Sequence, residues 1–172
     1  MKTINLLVPA LVALAVVGCS PSATTTDQKS LTDSTNLVTV NQTDTSLTAK
    51  ISLPQTVAEA SPVEMTFTVY NKTDSTRTFC KWHTPFEPLM SKYLDIKNVN
   101  GEEAIYQGPM AKRMMPPPAD SYVSVKPGDS LAVKVDLRNA YNIKGTGKFT
   151  VRYNAENISG LKATDSVSFT IK

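Results

Sequence analysis

Apolar and polar residues alternate one for one along several short stretches of this chain. The pattern returns roughly every ten residues, with turn formers between the stretches. Leu47, Ala49, Ile51 and Leu53 alternate with polar neighbours across Ser46–Leu53, which Pro54 closes. Val63, Met65, Phe67 and Val69 do the same across Val63–Tyr70, and an Asn71-Lys72-Thr73-Asp74 turn leads into Arg77–Trp82. Leu94–Val99 and Glu103–Tyr106 flank Asn100-Gly101, a dipeptide that predicts a type I′ hairpin because both residues tolerate positive φ. Tyr122–Val125, a Lys-Pro-Gly-Asp turn, Ser130–Leu137, Lys148–Tyr153 and Val167–Ile171 complete the series. No helical period of useful length interrupts it. About 8–9 short strands predict an all-β fold, an immunoglobulin-like antiparallel β-sandwich, with Phe67 and Trp82 near its centre. Tyr141, upstream of the strand at 148–153, is either a brace for a sandwich corner or a half-buried aromatic.

The first residues break this pattern. Lys2, an apolar run from Leu6 to Val17 and the box Val16-Val17-Gly18-Cys19 have the form of a lipoprotein export signal, residues 1–18. The apolar run is shorter than the roughly 20 residues that span hydrocarbon. Cys19 is the expected site of lipidation and the new N-terminus, holding the chain on the membrane through acyl chains. Ser20 after the cysteine, rather than Asp, points to the outer membrane, with the domain facing the periplasm or the cell surface. Residues 19–44 are rich in Ser, Thr, Asp and Gln, with little to bury, and read as a flexible tether. That leaves 45–172 as one domain.

Charge and chemistry then narrow the function. The net charge is +3, and removal of Lys2 with residues 1–18 leaves 17 basic against 15 acidic residues, scattered rather than clustered. This is no nucleic-acid footprint. With Cys19 lipidated, Cys80 has no disulfide partner and reads as a small buried hydrophobe beside Phe79 and Trp82. Alternation on an Arg77–Trp82 strand sets Cys80 and His83 on opposite faces, which disfavours a Cys-His pair. His83 is the single histidine of the sequence. With no G-x-S-x-G and no Gly-rich phosphate loop, the chain reads as no enzyme, with no resident metal or cofactor.

One inter-strand segment is not a short turn. Gln107–Ser121 carries Gly108, Pro109 and Pro116-Pro117-Pro118, with Met110, Met114 and Met115 around Lys112-Arg113. Proline fixes φ and removes a donor, so this should be a long, stiff loop projecting from the sandwich rather than a central strand. The alternative is a loop laid flat over a sheet edge as a guard against aggregation. Its methionines, with His83 and Cys80, also permit a lesser reading, a periplasmic copper(I)-binding protein, although no M-x-x-M ladder is present.

Taken in order, Trp82-His83-Thr84-Pro85, Asn100-Gly101, Tyr106-Gln107-Gly108-Pro109, Lys112-Arg113 and Met114-Met115-Pro116-Pro117-Pro118 form a recognisable series. Ser124–Ser130, Val135-Asp136-Leu137 with Tyr141, and Gly147–Tyr153 continue it. Over about residues 46–172 the series resembles the non-catalytic β-sandwich domain that precedes the catalytic domain of bacterial deuterolysin-like (aspzincin, peptidyl-Lys) metalloendopeptidases. The zinc site of those enzymes needs an H-E-x-x-H helix, and one histidine cannot supply two imidazoles. The resemblance therefore implies a fold and a regulatory role: binding and restraint of a metalloendopeptidase, as an inhibitor or propeptide-like domain. The expected partner-binding residues are Lys112 and Arg113, one of which would lead into a protease cleft, with Met114, Met115, Tyr106 and Pro109. A generic protein-interaction lipoprotein of the envelope is the competing expectation.

Overall fold

The computed structural model describes residues 47–172 other than Pro88 and Thr164. The expected signal at 1–18, lipidation at Cys19 and tether at 19–44 lie outside the described residues. Among those described, no helix is long and apolar enough to cross a membrane.

The strands follow the alternation closely. They are β1 (Leu47–Ser52), β2 (Thr56–Val57), β3 (Glu64–Asn71), β4 (Arg77–Cys80), β5 (Leu94–Asn98), β6 (Tyr122–Val125), β7 (Ser130–Asp136), β8 (Gly147–Tyr153) and β9 (Val167–Ile171). Among the described residues the one α-helix is short, α1 (Glu156–Ser159), and ends at Gly160, whose φ of 78° is the left-handed cap that glycine adopts without strain. β3 shows how sequence becomes packing. Met65, Phe67 and Val69 are buried, while Thr66, Thr68 and Tyr70 between them are half-exposed. One face of the strand therefore enters the core and the other stays wet.

The strands form a three-stranded sheet in the order β1-β3-β7, a four-stranded sheet in the order β2-β9-β8-β5, and a β4-β6 pair. Ile51 pairs with Phe67 and Phe67 with Val133 in the first. Ile96 pairs with Val151 and Phe149 with Phe169 in the second. The two sheets meet face to face: Phe67 of β3 lies 5.4 Å from Tyr153 of β8 between ring centroids, while within the second sheet Phe149 stacks on Phe169 at 5.5 Å. One contiguous apolar cluster fills the space between them. Each large side chain taken fully out of water contributes about 1.5–3 kcal/mol.

Four details depart from expectation. β2 pairs parallel with β9, through Thr56–Thr170 and Val57–Ile171, so the sandwich is not wholly antiparallel. Glu103–Tyr106 is no continuous strand: it touches its neighbours through the Lys97–Glu103 and Tyr106–Tyr141 bridges. The turn at Asn100-Gly101 is not type I′. Gly101 has a φ of 81°, but His83 is the one described non-glycine residue with positive φ, so Asn100 stays on the negative side. The Gly101 N–H donates to the Asn98 carbonyl, and the Asn98 side chain accepts from the Asn100 and Glu102 N–H groups. This is the hairpin in which a left-handed glycine follows an ordinary turn. Finally, β4 stops at Cys80. Trp82 is buried, but it lies in a turn outside the contiguous core rather than at the sandwich centre. The alternation argument for Cys80 and His83 fails for the same reason.

Candidate functional site

The long segment after Tyr106 leaves β-structure but is tied down at successive points. The Gln107 N–H donates to the Ala140 carbonyl at 2.7 Å. The Tyr106 hydroxyl lies 2.8 Å from the carbonyl oxygens of both Leu89 and Pro109, which share its single proton. Its ring meets Tyr141 edge-on at 5.1 Å. Gly108 crosses this hydroxyl so closely that an added Cβ would sit 2.6 Å from the oxygen and 2.9 Å from the Ala140 Cβ. A larger residue there would displace the pin.

Further along, the Ala111 N–H donates to the Met90 carbonyl at 2.8 Å. Arg113 turns inward, ion-pairs with Glu87, and lays its guanidinium over the Trp82 ring 4.8 Å from the centroid. A guanidinium on an aromatic face with a paired carboxylate is a strong anchor. The Met115–Pro116 peptide is cis, and Pro118 is extended with φ −66° and ψ 161°.

Between residues 110 and 114 the side chains alternate in and out, as along an extended chain. Ala111 and Arg113 are half-buried; Met110, Lys112 and Met114 face solvent. Met110, Met114 and Met115 are 72%, 82% and 76% exposed, among the most exposed large hydrophobics described. The structure separates the six expected binding residues accordingly. Lys112, Met114 and Met115 share the exposed surface with Pro109. Tyr106 is a pin, its hydroxyl held by two carbonyls. Arg113 is an anchor and not a leading residue, because Glu87 and Trp82 hold its side chain. The loop is also fastened at three points over the 82–90 segment rather than freely projecting. Sequence reasoning missed Glu87, and it placed Gly108 and Met110 in the loop without counting them among the partner-binding residues. The Lys-Arg dipeptide carried no sign of which residue turns inward, since Glu87 lies 26 residues away.

The residues beneath the loop are structural. The Tyr153 hydroxyl donates to the His83 carbonyl at 3.0 Å and lies 2.7 Å from the Ser159 Oγ, which holds His83 at its positive φ of 56°. Burial and the neighbouring Arg113 cation lower the His83 pKa. Cys80 is a free, buried thiol, as expected, and burial pushes its pKa up. Among the described residues no group of three or more His, Cys, Asp or Glu could hold a metal ion. The exposed thioethers point to solvent.

Tyr141 is no half-buried aromatic. It is 2% exposed, and its oxygen accepts from the N–H groups of Tyr93 and Leu94, at 3.3 and 3.1 Å. It therefore braces the start of β5 against the turn after β7. Burial raises its pKa to about 12, against the pull of those two N–H groups.

A sequence model of the immunoglobulin-like domain family matches residues 48–156, most of the sandwich. The chain belongs to this family. No curated protein sequence matches the chain. Solved structures with which this immunoglobulin-like domain shares similarity include a β-glucosidase from Listeria innocua in complex with laminaribiose, at 12% identity and a TM-score of 0.39. Another is an alkylpurine DNA glycosylase from Pseudomonas fluorescens bound to DNA, at 10% identity and 0.38. A third is the CARDB domain of a Pyrococcus furiosus protein in complex with di-metal ions, at 15% identity and 0.33. These similarities cover 73%, 74% and 73% of this chain, but 16%, 30% and 87% of the respective structures. The chain spans less than a third of the first two.

Proposed function

We propose that this chain is a non-catalytic lipoprotein of the bacterial envelope whose immunoglobulin-like domain binds and restrains a metalloendopeptidase. The observation that carries the reading is the loop after Tyr106: fastened at Tyr106, Ala111 and Arg113, alternating in and out over residues 110–114, and presenting Met110, Lys112 and Met114 outward. A loop ordered before docking loses little conformational entropy on binding, which is how rigid, substrate-like inhibitors gain affinity. An extended backbone with proline after it suits a protease cleft, where the substrate lies extended. The resemblance to a domain that travels with deuterolysin-like enzymes supplies the kind of protease.

The test is titration of the purified protein against a deuterolysin-like metalloendopeptidase while peptide hydrolysis is followed. Restraint predicts a saturable loss of activity that reverses on dilution. Full activity at a large excess of this protein sinks the restraint reading and leaves a general interaction domain.

A further inference from the structure

We infer that Lys112 alone is the cation this loop offers to a partner, for a carboxylate-bearing pocket flanked by apolar shelves, and that Arg113 is a positioning residue that stays seated. The inference rests on the restraint reading for the partner's identity, though not for the geometry of presentation.

Two adjacent basic residues in an extended segment point to opposite sides, and here the sides differ completely. The Arg113 guanidinium lies between Trp82 and the Glu87 carboxylate, with side chains 21% and 12% exposed for the ion pair. Withdrawing Arg113 toward a partner would strand Glu87, a largely buried carboxylate, without its counter-ion, and that outcome is strongly disfavoured. Lys112 has the reverse surroundings. It is exposed, and among the described residues it has neither a hydrogen-bond nor an ion-pair partner.

Its two neighbours fix its backbone: the Ala111 N–H is bonded to the Met90 carbonyl, and Arg113 is clamped. The lysine is therefore aimed. Loss of its hydration on docking is offset by a partner carboxylate. Met110 and Met114, two residues to either side on the same face, present unbranched thioethers that adapt to apolar surfaces. The fitting occupant is a protein cleft with an acidic pocket between two apolar subsites.

Two measurements test this. Trypsin, whose specificity pocket carries an Asp, serves as a surrogate cleft. Limited digestion of the full chain, read by mass spectrometry, should place the first cut within 47–172 after Lys112, with no cut after Arg113. Glu87→Ala should expose the Arg113 site to cutting while the circular dichroism of the sandwich is retained. A first cut after Arg113 in the unaltered chain, or at any other basic residue of the domain, overturns the inference. So does a Glu87→Ala digest identical to the original.

The second measurement is inhibition of the deuterolysin-like metalloendopeptidase. Lys112→Ala should weaken it by about 30-fold or more. Inhibition by the unaltered chain that Lys112→Ala leaves unchanged overturns the inference while restraint stands. If the unaltered chain does not inhibit, restraint falls, and the trypsin cut alone decides the presentation.

Discussion

Tyr141→Phe removes one oxygen and leaves the ring, so it isolates what the brace at the start of β5 contributes. The oxygen accepts from two buried backbone donors, Tyr93 N–H at 3.3 Å and Leu94 N–H at 3.1 Å. Both residues are at most 1% exposed, so water cannot replace the lost acceptor. An orphaned buried donor costs about 1–3 kcal/mol, and the longer bond belongs at the low end of that range. Relief from burying a hydroxyl offsets part of the loss, which leaves a net destabilisation of about 2–3 kcal/mol. Urea unfolding of both proteins measures it.

The pH profile gives a second reading of the same oxygen. An unfolded tyrosine titrates near 10, and Tyr141 in the fold is raised to about 12. Below pH 10 both states hold the proton and the stability is fully present. Between 10 and about 12 the unfolded state has lost its proton and the folded state has not, so stability falls as pH rises. The fall is about 1.4 kcal/mol per pH unit for this group. Tyr93 and Tyr153, also raised by burial, add to the slope in the same direction. Tyr141→Phe should lower stability at neutral pH and make the alkaline decline shallower by one group. A change below about 0.5 kcal/mol at neutral pH, with an unaltered alkaline slope, would refute the brace.

Other expectations follow from single groups. The Asn71 carboxamide, 1% exposed, donates to the Ser75 and Val125 carbonyls and accepts from the Thr73 N–H and hydroxyl, so Asn71→Ala should destabilise by about 3 kcal/mol in urea unfolding. Asn71→Asp should be at least as damaging, because it sets a charge against two carbonyl oxygens. The buried Cys80 thiol should react with a disulfide reagent about 100-fold more slowly in the native protein than in denaturant; equal rates would place it at the surface. Cys19→Ala should abolish acylation and move the protein to the soluble fraction on detergent-free fractionation; unchanged membrane retention would remove the anchor from the proposal.

The sandwich was legible where burial and period coincide. Met65, Phe67 and Val69 announce an inward face, and the structure buries all three. It was illegible where the deciding contact is remote or very short. β2 pairs through two residues, too few for a period to show. Asn100-Gly101 looks like a two-residue turn, but the side chain that organises the bend is Asn98, one step outside the dipeptide. The loop was legible as a loop from its prolines. That Arg113 faces inward depends on Glu87 and Trp82, distant in sequence, and no local pattern encodes that pairing. Gly108 shows the same limit, since its need to be small comes from a tyrosine hydroxyl already held by two carbonyls.

The parallel pairing of β2 with β9 has a temporal side. In the order β2-β9-β8-β5, the latest of the described strands occupies an interior position, between a neighbour made early and one made shortly before it. Until Val167–Ile171 has emerged, β8 has an open edge where β9 belongs, and Phe149 lacks the ring it stacks on. The four-stranded sheet therefore cannot close in the order in which its strands are made. A copy truncated before Val167 loses the middle of a sheet rather than a rim.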